Sequence, residues 1–162
     1  MSRKILITVG LGLLLLAAPS ATRGKDASQP TSADDDVSTV LKQLYAAWGD
    51  LDPQKAAPFY AKDADLTFFD IAPMKYNGWA GYAAGVPKAF APYTSGKFSL
   101  NDDLRTHHHG NLAWATATWH AELTRKDGGI EKPEGRYTAV LEKRDGKWLV
   151  VHEHMSLPAP AQ

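Results

Sequence analysis

The chain has no cysteine in 162 residues. That absence excludes disulfides, thiolate catalysis, cysteine-ligated zinc and a lipoprotein anchor, so stability has to come from packing. The chain also lacks an excess of either charge, with 18 basic and 18 acidic residues, and its Lys and Arg form no stripe. Nucleic acid and anionic membrane surfaces, which are recognised by clustered positive charge, are therefore not expected partners. No serine-nucleophile motif, phosphate-cradling glycine loop or dinucleotide fingerprint occurs. Covalent hydrolase and nucleotide chemistry are not expected, and the sequence calls for no cofactor.

Hydrophobic residues make up 44% of the chain and charged residues 22%, enough apolar material for a core and too little chain for two domains. Residues 2 to 21 run from Arg3 and Lys4 through an apolar stretch, Ile5 to Ala18, to Pro19-Ser20-Ala21. A basic start, a short apolar centre and small residues at the end are the three parts of a secretory signal, and the apolar centre is shorter than a membrane span. Residues 1–21 are expected to be a signal peptide, 22–34 a solvated linker and 35–158 one domain. The mature protein would be periplasmic or secreted and free of the membrane, with 16 basic and 18 acidic residues once Arg3 and Lys4 are removed.

Val37, Val40, Leu41, Leu44, Tyr45 and Trp48 recur at spacings of three and four, which predicts a helix over 35–48 behind a run of aspartates. Pro53 suits the first turn of a second helix through Tyr60, which Pro58 should bend or shorten. Leu66 to Ile71 is a β-rich run, Asn77-Gly78 a turn, and Trp79 to Phe90 a third helix. Strands are expected at 98–107, 111–123, 135–143 and 147–155, the last three forming a meander through the glycine turns at 126–129 and 144–147. Helices first and long strands afterwards indicate α+β, with the helices on one face of an antiparallel sheet.

The segment from Gly135 to Pro158, Phe59-Tyr60-Ala61-Lys62-Asp63-Ala64 and Asn77-Gly78-Trp79 resemble the SnoaL-like, ketosteroid-isomerase-like superfamily. That superfamily includes nuclear transport factor 2 and the association (hub) domain of calcium/calmodulin-dependent protein kinase II. The resemblance implies a cone: three N-terminal helices on a strongly curved sheet, with an internal pocket. It leaves function open, because the superfamily holds isomerases, cyclases, hydrolases, binding proteins and oligomerisation modules.

Alternation divides the last strand into Trp148, Val150, His152, His154 and Ser156 on one face and Leu149, Val151, Glu153 and Met155 on the other. The resemblance implies that the second set faces the pocket, because the hub places pocket arginines where this chain has Met155 and Ala139. Trp119, Tyr137, Ala139 and Leu141 then point inward too. The general base of ketosteroid isomerase would fall at Phe68, with Asp70 on the same face. Its tyrosine falls near Leu44 or Tyr45, and its acid at Ala139. That set is incomplete, which disfavours steroid isomerisation.

Asp70 and Glu153 are the catalytic candidates, since two carboxylates entering an apolar pocket can hold different pKa values and act as acid and base. The competing interpretation puts Asp70 at an exposed strand end and pairs Glu153 with an Arg, Lys or Tyr. Tyr45, Trp48, Tyr60, Phe68, Trp79, Tyr82, Trp119, Tyr137 and Met155 are the candidate ligand contacts, although rings of this kind also build ordinary cores. His152, His154, His120 and the run His107 to His109 could chelate a metal, but histidines on a half-buried sheet face more often serve packing or interfaces, and no metal site is assigned. Arg136, Thr138, His152 and His154, with Trp114, Val140, Trp148 and Val150, are expected on a convex face that packs against a second copy to form a homodimer. Two functions remain. One is an exported pocket protein for a small, largely apolar molecule, with acid/base chemistry of an isomerase or hydrolase kind. The other is a non-catalytic homo-oligomeric module like the hub.

Overall fold

The computed structural model describes residues 33–159, so the expected signal and all of the linker except Ala33 and Asp34 lie outside it. Helix α1 spans Ala33–Trp48, taking in those last two linker positions, and buries Val37, Leu41, Leu44, Tyr45 and Trp48 along one stripe. Helix α2, Pro53–Ala56, starts where Asp52 Oδ1 accepts the Gln54 N–H at 2.9 Å and Pro53 fills the first turn. Pro58 shortens it as expected, and the chain leaves through a 3-10 turn at Ala57–Phe59. Helix α3, Gly78–Phe90, buries Trp79, Tyr82 and Val86. Its first residue, Gly78, has φ +62° and lies against the backbone of Asp63 and Ala64, so a larger residue there would be strained and tightly packed.

Eight strands form one strongly curled sheet over which the helices pack. They are β1 (Thr67–Phe69), β2 (Tyr76–Asn77), β3 (Tyr93–Leu100), β4 (Arg105–His109), β5 (Leu112–Arg125), β6 (Ile130–Glu131), β7 (Glu134–Arg144) and β8 (Lys147–Ser156). The order is β2-β1-β8-β7-β5-β3, with β4 and β6 also paired to the long β5. The expected meander of β5, β7 and β8 is present. Along β5 and β7, Ala113, Ala115, Ala117, Trp119, Ala121 and Leu123 face Tyr137, Ala139 and Leu141 across a buried inner surface. Ala113, Ala115 and Ala117 are small, and the bulk of Trp119 and Leu123 lies further along β5.

Four sequence expectations need correction. The strand expected at 98–107 is two strands, β3 and β4, because Asn101 to Leu104 turn away between them. Asp103 holds that turn by accepting the N–H and hydroxyl of Thr118, each at 2.9 Å. The turn at 126–129 leads first into the short β6, and β7 follows. The sheet is not wholly antiparallel: β1 lies parallel to β8, pairing Phe68 with Glu153 and Phe69 with His154.

The fourth concerns β8. Its register against β7 jumps, with Val140 opposite His152 and Leu141 opposite Val150, so Val151 is an extra residue in a bulge. The bulge breaks strict alternation. Trp148 and Val150 are core residues, 4% and 0% exposed, rather than members of the convex face. Leu149 and Val151 are only half-buried, yet Glu153 is buried and Met155 half-buried on the inner side as the resemblance implied.

Gly135 marks a close approach inside this frame. A Cβ there would run into the Ser156 carbonyl oxygen on β8 and the indole of Trp119 at 2.8 Å. Gly135→Ala is expected to cost about 1–3 kcal/mol by overpacking. Urea unfolding would show it, and an unchanged midpoint would contradict this packing.

Candidate functional site

A cavity of about 390 Å³ lies between the inner face of the sheet, α1 and α3. Its deep wall carries Tyr45 from α1, Tyr82 from α3, Trp119 from β5, Tyr137 from β7 and Glu153 from β8. It reaches the surface between the segment after β1 (Asp70, Ile71, Ala72), the β6 end (Glu131, Pro133) and Leu157, and both Ile71 and Leu157 are exposed there.

Six of the nine candidate ligand contacts line this space: Tyr45, Trp48, Tyr82, Trp119, Tyr137 and Met155. Tyr60, Phe68 and Trp79 do not reach it and form the layer behind. Tyr60 stacks on Trp79 with ring centroids 4.6 Å apart, Phe68 stacks on Tyr82 at 5.4 Å, and the Lys62 ammonium covers the Trp79 ring at 3.9 Å. Phe90, Phe98 and Leu123 line the cavity without having been singled out from the sequence. Leu123 shares the inward parity of Trp119 on β5 and was legible. Phe90 is the last residue of α3, and Phe98 lies inside β3 at what the sequence marks as the start of a strand.

Both candidate carboxylates are at the cavity. Glu153 is 2% exposed and has no Lys, Arg or His partner among the described residues. The Tyr60 hydroxyl donates to its Oε1 and Oε2 at 2.9 and 3.0 Å, the Tyr137 hydroxyl donates to Oε2 at 3.1 Å, and the Tyr82 hydroxyl faces the same group. Trp48 Nε1 donates in turn to the Tyr60 oxygen at 3.3 Å. Burial pushes the Glu153 pKa up to about 7; the Tyr82, Tyr60 and Tyr137 hydroxyls oppose the rise, and the nearby charge of Asp70 adds to it. Asp70, half-buried at the mouth, is also raised by burial, with the Ile71 N–H at 2.7 Å from Oδ1 pulling the other way. The four inner tyrosines, Tyr45, Tyr60, Tyr82 and Tyr137, are held protonated, first by burial and next by the Glu153 charge. A carboxyl poised near neutrality beside strong hydroxyl donors can hold or release a proton at a bound molecule.

Two buried polar atoms lack a hydrogen-bond partner among the described residues, the Tyr45 hydroxyl and Trp148 Nε1, and of these residues only Tyr45 lines the cavity. A third carboxylate, Glu131, stands at the mouth, accepting from the Tyr93 hydroxyl and Arg125 Nη1. It lies on the short β6, between the turn at 126–129 and β7.

The histidines lie away from the cavity. His152 Nδ1 donates to the Thr67 carbonyl at 2.7 Å, His120 pairs with Asn101 at 2.6 Å, and His107 stacks on Trp114 at 5.2 Å. Among the described residues no three His, Asp or Glu side chains converge as a metal site would require.

The sequence model of the SnoaL-like domain matches residues 37–160. The chain belongs to the SnoaL-like family. No curated protein matches it. Solved structures similar to this SnoaL-like chain share its fold. A nuclear transport factor 2-like superfamily protein from Salmonella enterica serovar Typhimurium is 21% identical with a TM-score of 0.71, over 79% of this chain and 92% of that one. A protein from Xanthomonas campestris, assigned as a calcium/calmodulin-dependent protein kinase II association domain, is 23% identical with a TM-score of 0.69, over 85% and 97%. One from Streptomyces avermitilis, assigned as a dehydratase of the nuclear transport factor 2-like family, is 15% identical with a TM-score of 0.68, over 78% and 97%.

In this SnoaL-like cavity Tyr60 joins the carboxyl to the aromatic layer. Tyr60→Phe removes a donor to Glu153 and the acceptor of Trp48 Nε1. A loss of about 1–3 kcal/mol is expected, larger at pH 8 than at pH 5, because the ionised carboxylate depends more on that donor. Urea unfolding at the two pH values measures it, and an equal loss at both would contradict the arrangement.

Proposed function

We propose that this SnoaL-like protein is exported and holds a small, largely apolar molecule in its cavity, where Glu153 and Asp70 handle a proton on the ligand's polar group. The observation that carries this reading is Glu153: a buried carboxyl without a basic partner among the described residues, its pKa raised to about 7, on the wall of a cavity large enough for an aromatic or alicyclic ligand. A residue that served packing alone would be cheaper as Gln or Leu, since burying an ionisable group costs free energy unless its charge is used. Tyr45 supports the same reading, because its unpartnered hydroxyl offers a hydrogen bond to whatever enters. Isomerase- or hydrolase-like turnover would use Glu153 as the group that exchanges the proton and Asp70 as the second carboxylate.

Trp48 and Trp119 line the cavity, so occupancy should alter their fluorescence. Titration with 2-naphthol and similar aromatic alcohols should give a saturable change in the wild type that weakens in Tyr45→Phe and Glu153→Gln. No saturable change with any probe of that size would overturn the reading.

A second reading, a homo-oligomeric module, is favoured by the convex face. Leu112 and Trp114 are 47% and 44% exposed there on adjacent turns of β5 alternation, beside the half-buried Val140 and His152. A second copy packed sheet on sheet would cover them. Trp114→Glu is expected to convert a dimer to a monomer in sedimentation experiments. A wild type that sediments as a monomer would dismiss this interface.

A further inference from the structure

The cavity's polar groups have one chemical sense. Asp70, Glu131 and Glu153 line it, while among the described residues no Lys, Arg or His does. Glu131 is neutralised by Arg125 from outside the lining, which leaves the Glu153 and Asp70 carboxyls as the unneutralised pair. Neither has an ion-pair partner among the described residues. The remaining free polar atom is the Tyr45 hydroxyl, on a side chain 4% exposed, with a lone pair available to accept. Around these groups stand the rings of Trp48, Phe90 and Trp119, and aromatic faces attract a cation brought within about 6 Å.

An anionic ligand would meet two carboxyls and no positive charge to offset them. A neutral ligand bearing only acceptors would leave the carboxylate oxygens with nothing to bind. A ligand that brings N–H donors and a positive charge satisfies all three groups at once.

Resting on the reading of the cavity as a ligand site, we infer that its ligand is an apolar amine bound as the ammonium cation, its N–H groups shared by Glu153, Asp70 and the Tyr45 hydroxyl and its apolar body lying against Trp119, Phe90 and Phe98. Glu153 is surrounded by Tyr45 from α1, Tyr60 after α2, Asp70 after β1, Tyr82 from α3 and Tyr137 from β7, so among the described residues no positive charge competes for it. A cation placed there favours the ionised carboxylate. Affinity for the amine therefore rises as pH increases through about 7 and levels off above it.

The test compares three probes of one shape on the full chain by isothermal titration: 4-phenylbutylamine, 4-phenylbutan-1-ol and 4-phenylbutyrate. At pH 8 the amine is expected to bind at least about tenfold more tightly than the alcohol, with the carboxylate weakest. That advantage should shrink below pH 6 as Glu153 takes up its proton. Asp70→Asn, at a half-buried position outside the core, and Glu153→Gln should each reduce the ratio of amine to alcohol affinity. An alcohol that binds as tightly as the amine, or a carboxylate that binds best, overturns the amine assignment and leaves the cavity reading standing. If none of the three binds, both fall.

Discussion

Glu153→Gln is expected to stabilise the folded domain at pH 8, by up to about 3 kcal/mol relative to the wild type, and to leave it no more stable at pH 4. The carboxyl has an ordinary pKa of 4.5 and is raised to about 7 on folding, chiefly by burial. Below 4.5 both folded and unfolded chains carry the proton and the group is neutral in its effect. Between 4.5 and 7 the unfolded chain has released the proton while the folded chain keeps it, so wild-type stability falls as pH rises. Above 7 the loss is complete, at about 1.4 kcal/mol for each unit of separation. The amide keeps the shape, accepts from Tyr60 and Tyr137 and never has to ionise, so its profile should be flatter across that window. Asp70, raised in the same direction, leaves a residual slope in both proteins. Urea denaturation at pH 4, 6 and 8 decides the matter, and parallel pH profiles for the two proteins would contradict the burial of an ionisable Glu153. The variant should at the same time lose whatever proton transfer the site performs, a gain in stability at the expense of activity that is common where function requires a strained group.

Trp119→Ala is expected to destabilise the domain by about 3–5 kcal/mol, the largest loss among these substitutions. Its indole is 2% exposed, packs against Gly135 where no side chain can take its place, and donates through Nε1 to the Arg136 carbonyl at 3.3 Å. Truncation removes those contacts and joins the vacated space to the existing cavity, and the surrounding β5 and β7 backbones are tied into the sheet and cannot close over it. Trp119→Phe should lose much less. The measurement is chemical denaturation of both variants. A cost near 1 kcal/mol for the alanine variant would mean that the sheet relaxes into the gap and that Trp119 is not the fixed wall of the site.

These two residues show how unevenly the site could be read from the sequence. Trp119 was placed inward by the family resemblance, and β5 keeps that parity because it alternates without a bulge, Ala113 to Leu123 inward and the residues between them outward. Glu153 was placed correctly on the inner face through the family resemblance, but strict parity along β8 would also have turned Leu149 and Val151 inward and Trp148 outward. The bulge at Val151 reverses the parity of everything before it and leaves Glu153 and Met155 where they were expected. A single inserted residue carries no composition signal, since Val is as common in a regular strand as in a bulge. The parallel pairing of β1 with β8, which sets Phe68 beside Glu153, was hidden for a different reason. The two segments are separated by more than half the domain, and only closure of the curled sheet brings them together.

The sequence by itself determined the helical stripe of α1, the proline-shortened second helix, the long strands and their glycine turns, because each depends on residues a few positions apart and on side-chain spacing. It also determined the chemistry available: carboxylates, tyrosines and indoles, without a thiol. Only the tertiary structure decided which of these groups meet, that Glu153 is enclosed by Tyr60, Tyr82 and Tyr137 and, among the described residues, has no cation beside it, and that Tyr45 finds no hydrogen-bond partner among them. A pKa and an unsatisfied hydrogen bond belong to an environment built from five separate elements, and burial, which sets both, exists only once those elements have packed.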